Sequence, residues 1–344
     1  MKCKRCETLP EVEEKSVRIY VYIPTHHHEP LFEYMLDEKG YAHTKHPQYY
    51  LIEAGRFSEF IHRMTPIFNS LERQDVKILP FSHSDGLTPE ALHNMRTLAE
   101  WMDFYQAREI RYVLKTMNLK VMFQPIIDMK TDTVYAYEGL VRGIDHDGSD
   151  IPPNKLFDQA KNLDLLFNLD KACREKVIEA AAQKNIECRL FINFIPTAIY
   201  NPELCLKTTE DAIRKYGLKA SHITFEVVES ERIKDFDHLN TILNHYRNRG
   251  MKTALDDVGS GFATTESIMN LKPDIIKLYA SIIRHIDSDK KKQKRFKHYM
   301  KTAKKKGIKI LAEGVETEEE ATFVRNHSVD YAQGYYFARP SENI

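Results

Sequence analysis

Apolar and polar residues alternate across residues 17–24 (VRIYVYIP). They recur at three- and four-residue steps across 57–71 (FSEFIHRMTPIFNSL) and crowd again across 76–81 (VKILPF). A period of two reads as strand and a period near 3.6 as helix, so residues 1–87 predict a small α/β or α+β domain. Residues 88–117 then open with Thr88 as an N-cap, Pro89 at the first helical position and Glu90 in the first turn. Leu92, Met95, Leu98, Trp101, Met102, Tyr105, Tyr112 and Val113 follow at mostly helical spacing. The pattern predicts one amphipathic connecting helix, either a signalling or dimerising link or a helix packed on its own domain.

From Val121 the pattern changes to short apolar runs separated by helical stretches: VMFQPI (121–126), VYAYEG (134–139), RLFIN (189–193), HITFEVV (222–228), KTALDD (252–257), DIIKL (274–278), IKILAE (308–313) and DYAQG (330–334). Repeated strand and helix units of this number and length predict an α/β fold, a (β/α)8 TIM-like barrel over 118–344. Only seven residues separate the first two strands. A parallel crossover needs a dozen or more, so this first pair is expected to be an antiparallel hairpin.

Polar residues stand where the buried strands end: Glu138, Asn193, Glu226, the pair Asp256 and Asp257, Lys277, Glu313 and Gln333. The C-terminal rim of such a barrel carries its active site, so the pattern points to one site. Two carboxylates about 4 Å apart repel by roughly 4 kcal/mol at an effective dielectric of 20, and five cannot remain ionised together without cations. Oxygen ligands with an Asn amide suit Mg²⁺ or Mn²⁺, and adjacent acids can serve two ions that activate water against a phosphodiester. Taken singly, any of these acids could equally be a strand-end residue satisfied by a lysine or a helix N-terminus.

Composition narrows the partners. Lys plus Arg and Asp plus Glu number 50 each in 344 residues, which removes the whole-chain basic field typical of non-specific nucleic-acid binding. The basic runs KKKQKR (290–295) and KTAKKKG (301–307) read as a solvated helix face. No apolar run is long enough to span a membrane, and the opening MKCKRCETLPEVEEK is too polar for a secretory signal. Cys3, Cys6, Cys173, Cys188 and Cys205 are too few and too odd for a disulfide framework, so a reducing cytoplasmic compartment is expected. Cys3 and Cys6 could hold half a zinc site or act as a redox pair, and His26, His27 and His28 could complete a metal site. The alternative is a pair of exposed thiols and a polar loop of histidines.

From about Met117 to Ile344 the sequence resembles an EAL domain, the bacterial phosphodiesterase family that acts on cyclic diguanylate. The resemblance rests, in order, on FQPIID, YEGLVRG, FINFIP, FEVVESE, LDDVGSGFATTES, DIIKL, ILAEGVET and QGYYFARP. It implies hydrolysis of the cyclic dinucleotide to linear pGpG with two Mg²⁺ or Mn²⁺ ions. Glu138, Asn193, Glu226, Asp256, Asp257 and Glu313 resemble the family's metal ligands. Lys277 resembles the lysine that holds or activates the attacking water, and Glu229 the residue that steadies the loop after Asp257. Glu138, Lys277, Glu313 and Glu229 are thus the implied catalytic set, while Gln124, Arg142, Gln333 and Pro340 are the implied substrate-facing positions. Family members commonly dimerise near that loop, so a homodimer through this domain is expected.

Three positions depart from the family. Gly139 replaces Ala in the signature, which is expected to add flexibility. Val258 replaces Phe after the paired aspartates, which is expected to loosen packing under the loop. Tyr279 replaces Asp, which would change the dimer surface or the charges near Lys277. None removes a metal ligand, so an active enzyme is expected, with an inactive cyclic diguanylate receptor as the alternative. Residues 1–110 carry no phosphate loop, complete zinc spacing or haem motif, and are expected to form a sensory or regulatory module.

Overall fold

The computed structural model describes residues 15–82, 95–227, 235–261 and 264–344. Cys3, Cys6, Thr88, Pro89, Glu90, Leu92 and Glu229 lie outside the described residues. The described residues divide into two compact units: the first comprises those between 15 and 112 together with 154–165, the second 113–153 with those between 166 and 344.

The first unit is built on β1 (Lys15–Tyr22), α1 (Glu29–Glu38), β2 (His43–Lys45), β3 (Tyr50–Arg56), α2 (Phe57–Met64), β4 (Lys77–Ser82), β5 (Arg96–Thr97), α3 (Leu98–Gln106) and the start of α4 (Arg108–Thr116). Its sheet runs β2-β3-β1-β4-β5, antiparallel throughout. Val17, Ile19 and Val21 point to the core from alternate positions of β1. Phe57, Phe60, Ile61 and Met64 form the buried stripe of α2 at helical spacing. The Trp101 ring packs edge-on against Phe57 at 4.9 Å and donates its indole N–H to the Ile78 carbonyl at 3.1 Å.

The single helix expected over 88–117 is two helices in its described part. Thr97 starts α3 with a reciprocal cap: its hydroxyl accepts from the Glu100 amide, and the Glu100 carboxylate accepts from the Thr97 amide. Ala107 then leaves the helical region (φ −79, ψ 55) before α4 begins. The segment containing most of α5 (Pro153–Asn162) groups with this first unit although it lies inside the barrel sequence. Glu109 ties it down, accepting from Lys155 and Gln159, each at 2.6 Å.

The second unit is the expected barrel. Its strands are β6 (Leu119–Asp128), β7 (Thr133–Ile144), with the short β8 (Asp150–Ile151) paired on its outer end, then β9 (Arg189–Phe194), β10 (Ile223–Val227), β11 (Lys252–Val258), β12 (Ile275–Leu278), β13 (Lys309–Ala312) and β14 (Tyr331–Ala332). The ring β6-β14-β13-β12-β11-β10-β9-β7 closes through the β6–β7 pairing. As expected from the short connection, β6 runs antiparallel to β7, and it is also antiparallel to β14. The other pairs in the ring are parallel. Outside the strands lie α6 (Leu166–Gln183), α7 (Lys207–Lys215), α8 (Phe236–Arg247), α9 (Thr265–Leu271), α10 (Lys290–Lys306) and α11 (Glu318–Asn326). The lysine-rich α10 buries Phe296, Met300 and Ala303 and exposes most of its lysines, a solvated face as the sequence indicates.

Two apolar layers hold the barrel. The larger lies between strands and helices, and the smaller fills the barrel interior with Ile126, Ala136, Phe191, Ala254, Ile275, Leu311 and Tyr331. Gly139 belongs to the strand–helix contact. A methyl group at this position would lie 2.9 Å from Cγ2 of Val177 on α6 and nearer still to Cγ1. The missing methyl is therefore not a source of looseness; the stiff, branched Val177 already occupies its space. Val258 is likewise fully buried against the strand–helix core. Gly139→Ala is expected to lower unfolding stability by about 1–3 kcal/mol through overpacking. Val177→Ala in the same chain should recover part of that loss, giving a favourable coupling in denaturant titrations of the four proteins of the cycle. Strict additivity would contradict this packing account.

Candidate active site

The polar residues expected at the strand ends form a second layer directly above the interior apolar one. Side chains two residues apart on a strand share a face. One such step leads from Ala136 to Glu138, from Phe191 to Asn193, from Ala254 to Asp256, from Ile275 to Lys277, from Leu311 to Glu313 and from Tyr331 to Gln333. On β6, which runs the other way, the same step is taken backwards, from Ile126 to Gln124. On β10 it leads from buried Thr224 to Glu226. The barrel geometry thus converts an i, i+2 pattern in separate strands into a single cluster.

Lys277 lies at its centre and is almost wholly buried. Its Nζ is 2.8 Å from Glu313, 2.9 Å from Glu226, 3.2 Å from Asp256 and 3.7 Å from Glu138. Around Glu138, Asn193 Nδ2 donates to Oε1 at 3.0 Å and Gln333 Nε2 to Oε2 at 2.7 Å. Gln333 Nε2 also donates to Gln124 Oε1 at 3.1 Å, and Gln124 Nε2 donates to the Ala338 carbonyl at 3.1 Å. That last acceptor is a main-chain group, invisible to any reading of side-chain types. The chain reaches it because Ser341 pairs with Phe123 through amide bonds of 2.8 and 3.0 Å, which also sets Pro340 beside β6. Just after Gln333, Gly334 runs close to Val315, where a Cβ would collide with the backbone.

Asp256 and Asp257 are consecutive, and ordinary pleating would turn them to opposite faces. The register between β11 and β12 shifts between Leu255 and Val258, where β11 carries one residue more than its partner. Asp257 takes the left-handed conformation (φ 52) in this bulge, a local strain of the kind found at functional sites. The result is that carboxylate oxygens of Asp256, Asp257 and Glu313 lie within 4.8 Å of one another. The loop beyond leads through Gly259, whose carbonyl accepts from Arg295, towards residues 262–263 outside the described set. Arg142 is four residues beyond Glu138 on the same face of β7, half-buried, with Nη1 donating to the Val141 carbonyl at 3.0 Å. Tyr279 is exposed after β12, with its amide on the Val258 carbonyl. Glu229 lies outside the described residues.

The charges do not balance. Burial would raise the Glu138 carboxyl, but Lys277 and the amides of Gln333 and Asn193 outweigh it and hold Glu138 below its ordinary value. Burial pushes Glu226 and Glu313 well above theirs, reinforced by neighbouring carboxylates against the pull of Lys277. Asp257 is pushed up to about 6 by burial and by Asp256. Burial opposes the charge on Lys277, but the surrounding carboxylates overcome it and keep the ammonium protonated. One ammonium cannot neutralise this set, and Glu226 Oε1 is buried without a hydrogen-bond partner. An all-oxygen donor set with an unfilled buried acceptor fits hard divalent cations, which Asp256, Asp257 and Glu313, together with Glu138, Asn193 and Glu226, could hold.

A match to the EAL domain family covers residues 107–340. The chain belongs to the EAL domain family. Among curated relatives, cyclic di-GMP phosphodiesterase NbdA of Pseudomonas aeruginosa is 26% identical over 238 residues, covering 67% of this chain and 30% of that protein. Cyclic di-GMP phosphodiesterase PdeF of Escherichia coli K12 is 27% identical over 238 residues, covering 68% and 32% respectively. The chain spans about a third of the length of these relatives. Among solved structures, the c-di-GMP-bound form of a standalone EAL protein from Vibrio cholerae O395 is 35% identical with a TM-score of 0.60, covering 65% of this chain and 92% of its own. The manganese and c-di-GMP complex of Klebsiella pneumoniae BlrP1 shares the fold across 95% of this chain and 96% of its own, at 20% identity and a TM-score of 0.57.

Two outcomes follow for the EAL domain without metal. Lys277→Met should destabilise the protein by about 3–5 kcal/mol, because it strips buried carboxylates of their counter-charge. Denaturant titration in chelator measures it, and an unchanged midpoint would show that the cluster is already neutral. For Asp257, the folded state keeps a proton that the unfolded chain releases near the ordinary value of 3.8. The folded form therefore binds more protons between about pH 4 and 6, and the contribution of this group to stability falls as pH rises through that window. Asp257→Asn should lack the fall, so its stability relative to wild type should climb across the window; a constant offset would refute the assignment.

Proposed function

We propose that this protein is a metal-dependent phosphodiesterase that hydrolyses cyclic di-GMP to linear pGpG. The observation that carries the reading is the polar layer: Glu138, Glu226, Asp256 and Glu313 all face one buried lysine, with oxygen ligands in excess of its charge. Membership of the EAL family and the names of the curated relatives support the substrate.

In this reading Glu138, Asn193, Glu226, Asp256, Asp257 and Glu313 hold two Mg²⁺ or Mn²⁺ ions. When bound, such ions supply the positive charge that acidifies water and stabilises a phosphorane-like charge build-up. Lys277 has three N–H donors; it donates one to Glu226 and is ion-paired with Asp256 and Glu313. Release of one carboxylate frees a donor to orient the attacking water. Glu313, 2.8 Å from Lys277, would take the water's proton in its ionised form. Water oxygen attacks phosphorus as its proton passes to Glu313, the bond from phosphorus to the ribose 3′ oxygen breaks, and that oxygen takes up a proton from solvent as it leaves. Arg142 meets the phosphate or a guanine edge, while Gln124, Gln333 and Pro340 line the substrate. Glu229 steadies the loop after Asp257.

The reading includes a homodimer through the barrel, a regulatory role for residues 1–87 acting through 88–117, and a cytoplasmic setting supported by free Cys173, Cys188 and Cys205. No described helix is long and apolar enough to cross a membrane.

The deciding experiment follows pGpG formation by full-length protein in Mn²⁺, Mg²⁺ and chelator, with a parallel binding titration. Product is expected with either metal and none in chelator. Glu138→Ala and Asp256→Asn should abolish turnover, and Arg142→Ala should chiefly raise KM. Wild-type rates in Glu138→Ala would end the site assignment; tight binding without product in either metal would make the protein a receptor.

A further inference from the structure

The first unit carries a second cluster of possible ligands, far from the barrel in sequence and different in chemistry. His26–His28 form a single tight helical turn before α1. The rings of His27 and His28 lie 4.0 Å apart, and the Nε2 atoms of both face one oxygen, Oε1 of Glu72, at 3.5 and 2.6 Å. Ligand atoms from the three residues lie within 4.8 Å of one another. In a tetrahedral zinc site, bonds of about 2.0–2.2 Å place neighbouring ligand atoms roughly 3.3 Å apart, so small side-chain adjustments suffice.

The carboxylate is held from behind. Glu72 Oε2 accepts from the Asn69 amide at 2.8 Å, and Asn69 Oδ1 accepts from the amides of Leu71 and Glu72 at 2.9 and 3.1 Å. The Asn69 amide and then the His28 ring keep the Glu72 carboxyl below its ordinary value, in the ligating form. His28 is half-buried and packs against Phe68 at 5.2 Å. The neighbouring Glu29 is engaged elsewhere, by Lys45 and His26 at 2.6 Å each. A simple ion pair requires one histidine; here two adjacent rings turn the same nitrogen to the same oxygen. We propose that His27, His28 and Glu72 bind one divalent transition-metal ion of the zinc class, with the remaining coordination position open to water. Two imidazoles select for zinc, cobalt, nickel or copper and against magnesium and calcium, whereas the barrel's carboxylates have the opposite preference.

That difference makes the test selective. Full-length protein carrying Cys3→Ser and Cys6→Ser, which removes the thiols as competing ligands, is titrated with Zn²⁺ under saturating Mg²⁺ to occupy the barrel. The expected result is one Zn²⁺ per chain by elemental analysis after dialysis, and with Co²⁺ as probe the intense visible absorption of a nitrogen-bearing, four-coordinate ion. His27→Ala and Glu72→Gln should each weaken binding at least tenfold and abolish the Co²⁺ spectrum. The His27 side chain is 65% exposed, so its variant tests the site without threatening the fold. No zinc uptake at micromolar concentration, or unchanged uptake and spectrum in both variants, would overturn the proposal.

Discussion

One buried ammonium among four carboxylates is the constraint from which the rest of the site follows. Lys277 cannot be desolvated alone, because an isolated buried charge is far too costly, and two buried and two half-buried carboxylates cannot share one cation without strain. The barrel tolerates the arrangement because eight strands meet there and the apolar layer beneath is fully packed. Polar groups that no single element could bury are held by the closed ring as a set.

The ring also explains the division of labour between rigid and adaptable parts. Glu138, Asn193, Gln124 and Gln333 are linked by short amide hydrogen bonds into a fixed wall. Asp256 and Asp257, by contrast, sit on a bulge with a left-handed residue, followed by a glycine-bearing loop. Charge is in excess on that second side, where burial and mutual repulsion raise Asp257 and Glu313. The site is therefore preorganised on one flank and electrostatically unfinished on the other.

The barrel was legible because its eight strands are short apolar runs, seven of them with a polar residue at the end, and seven residues between the first two strands leave room only for a hairpin. The polar layer was legible for the same reason: period-two geometry carries Ala136 to Glu138 as surely as Ile275 to Lys277. What was hidden is non-local. Val177 filling the space above Gly139 lies 38 residues away in sequence and alters the meaning of the missing methyl. The bulge that aligns two consecutive aspartates depends on pairing with β12, and the partner of Gln124 is a carbonyl. In the first unit, β3 and α1 escaped a reading based on short windows. His27 and His28 were visible as a run, but Glu72 joins them only through folding.

The reversed strand β6 has a consequence for how this barrel is made. Its neighbours in the ring are β7, which follows at once, and β14, which a ribosome adds only after most of the domain has emerged. Gln124 waits across 214 residues for the carbonyl it contacts. Until residues 331–341 are available, one edge of β6 remains open, and the polar groups above Ile126 face water instead of each other. Closure is thus a late, long-range event, which makes the nascent domain slow to complete and prone to edge pairing with other chains in the interval.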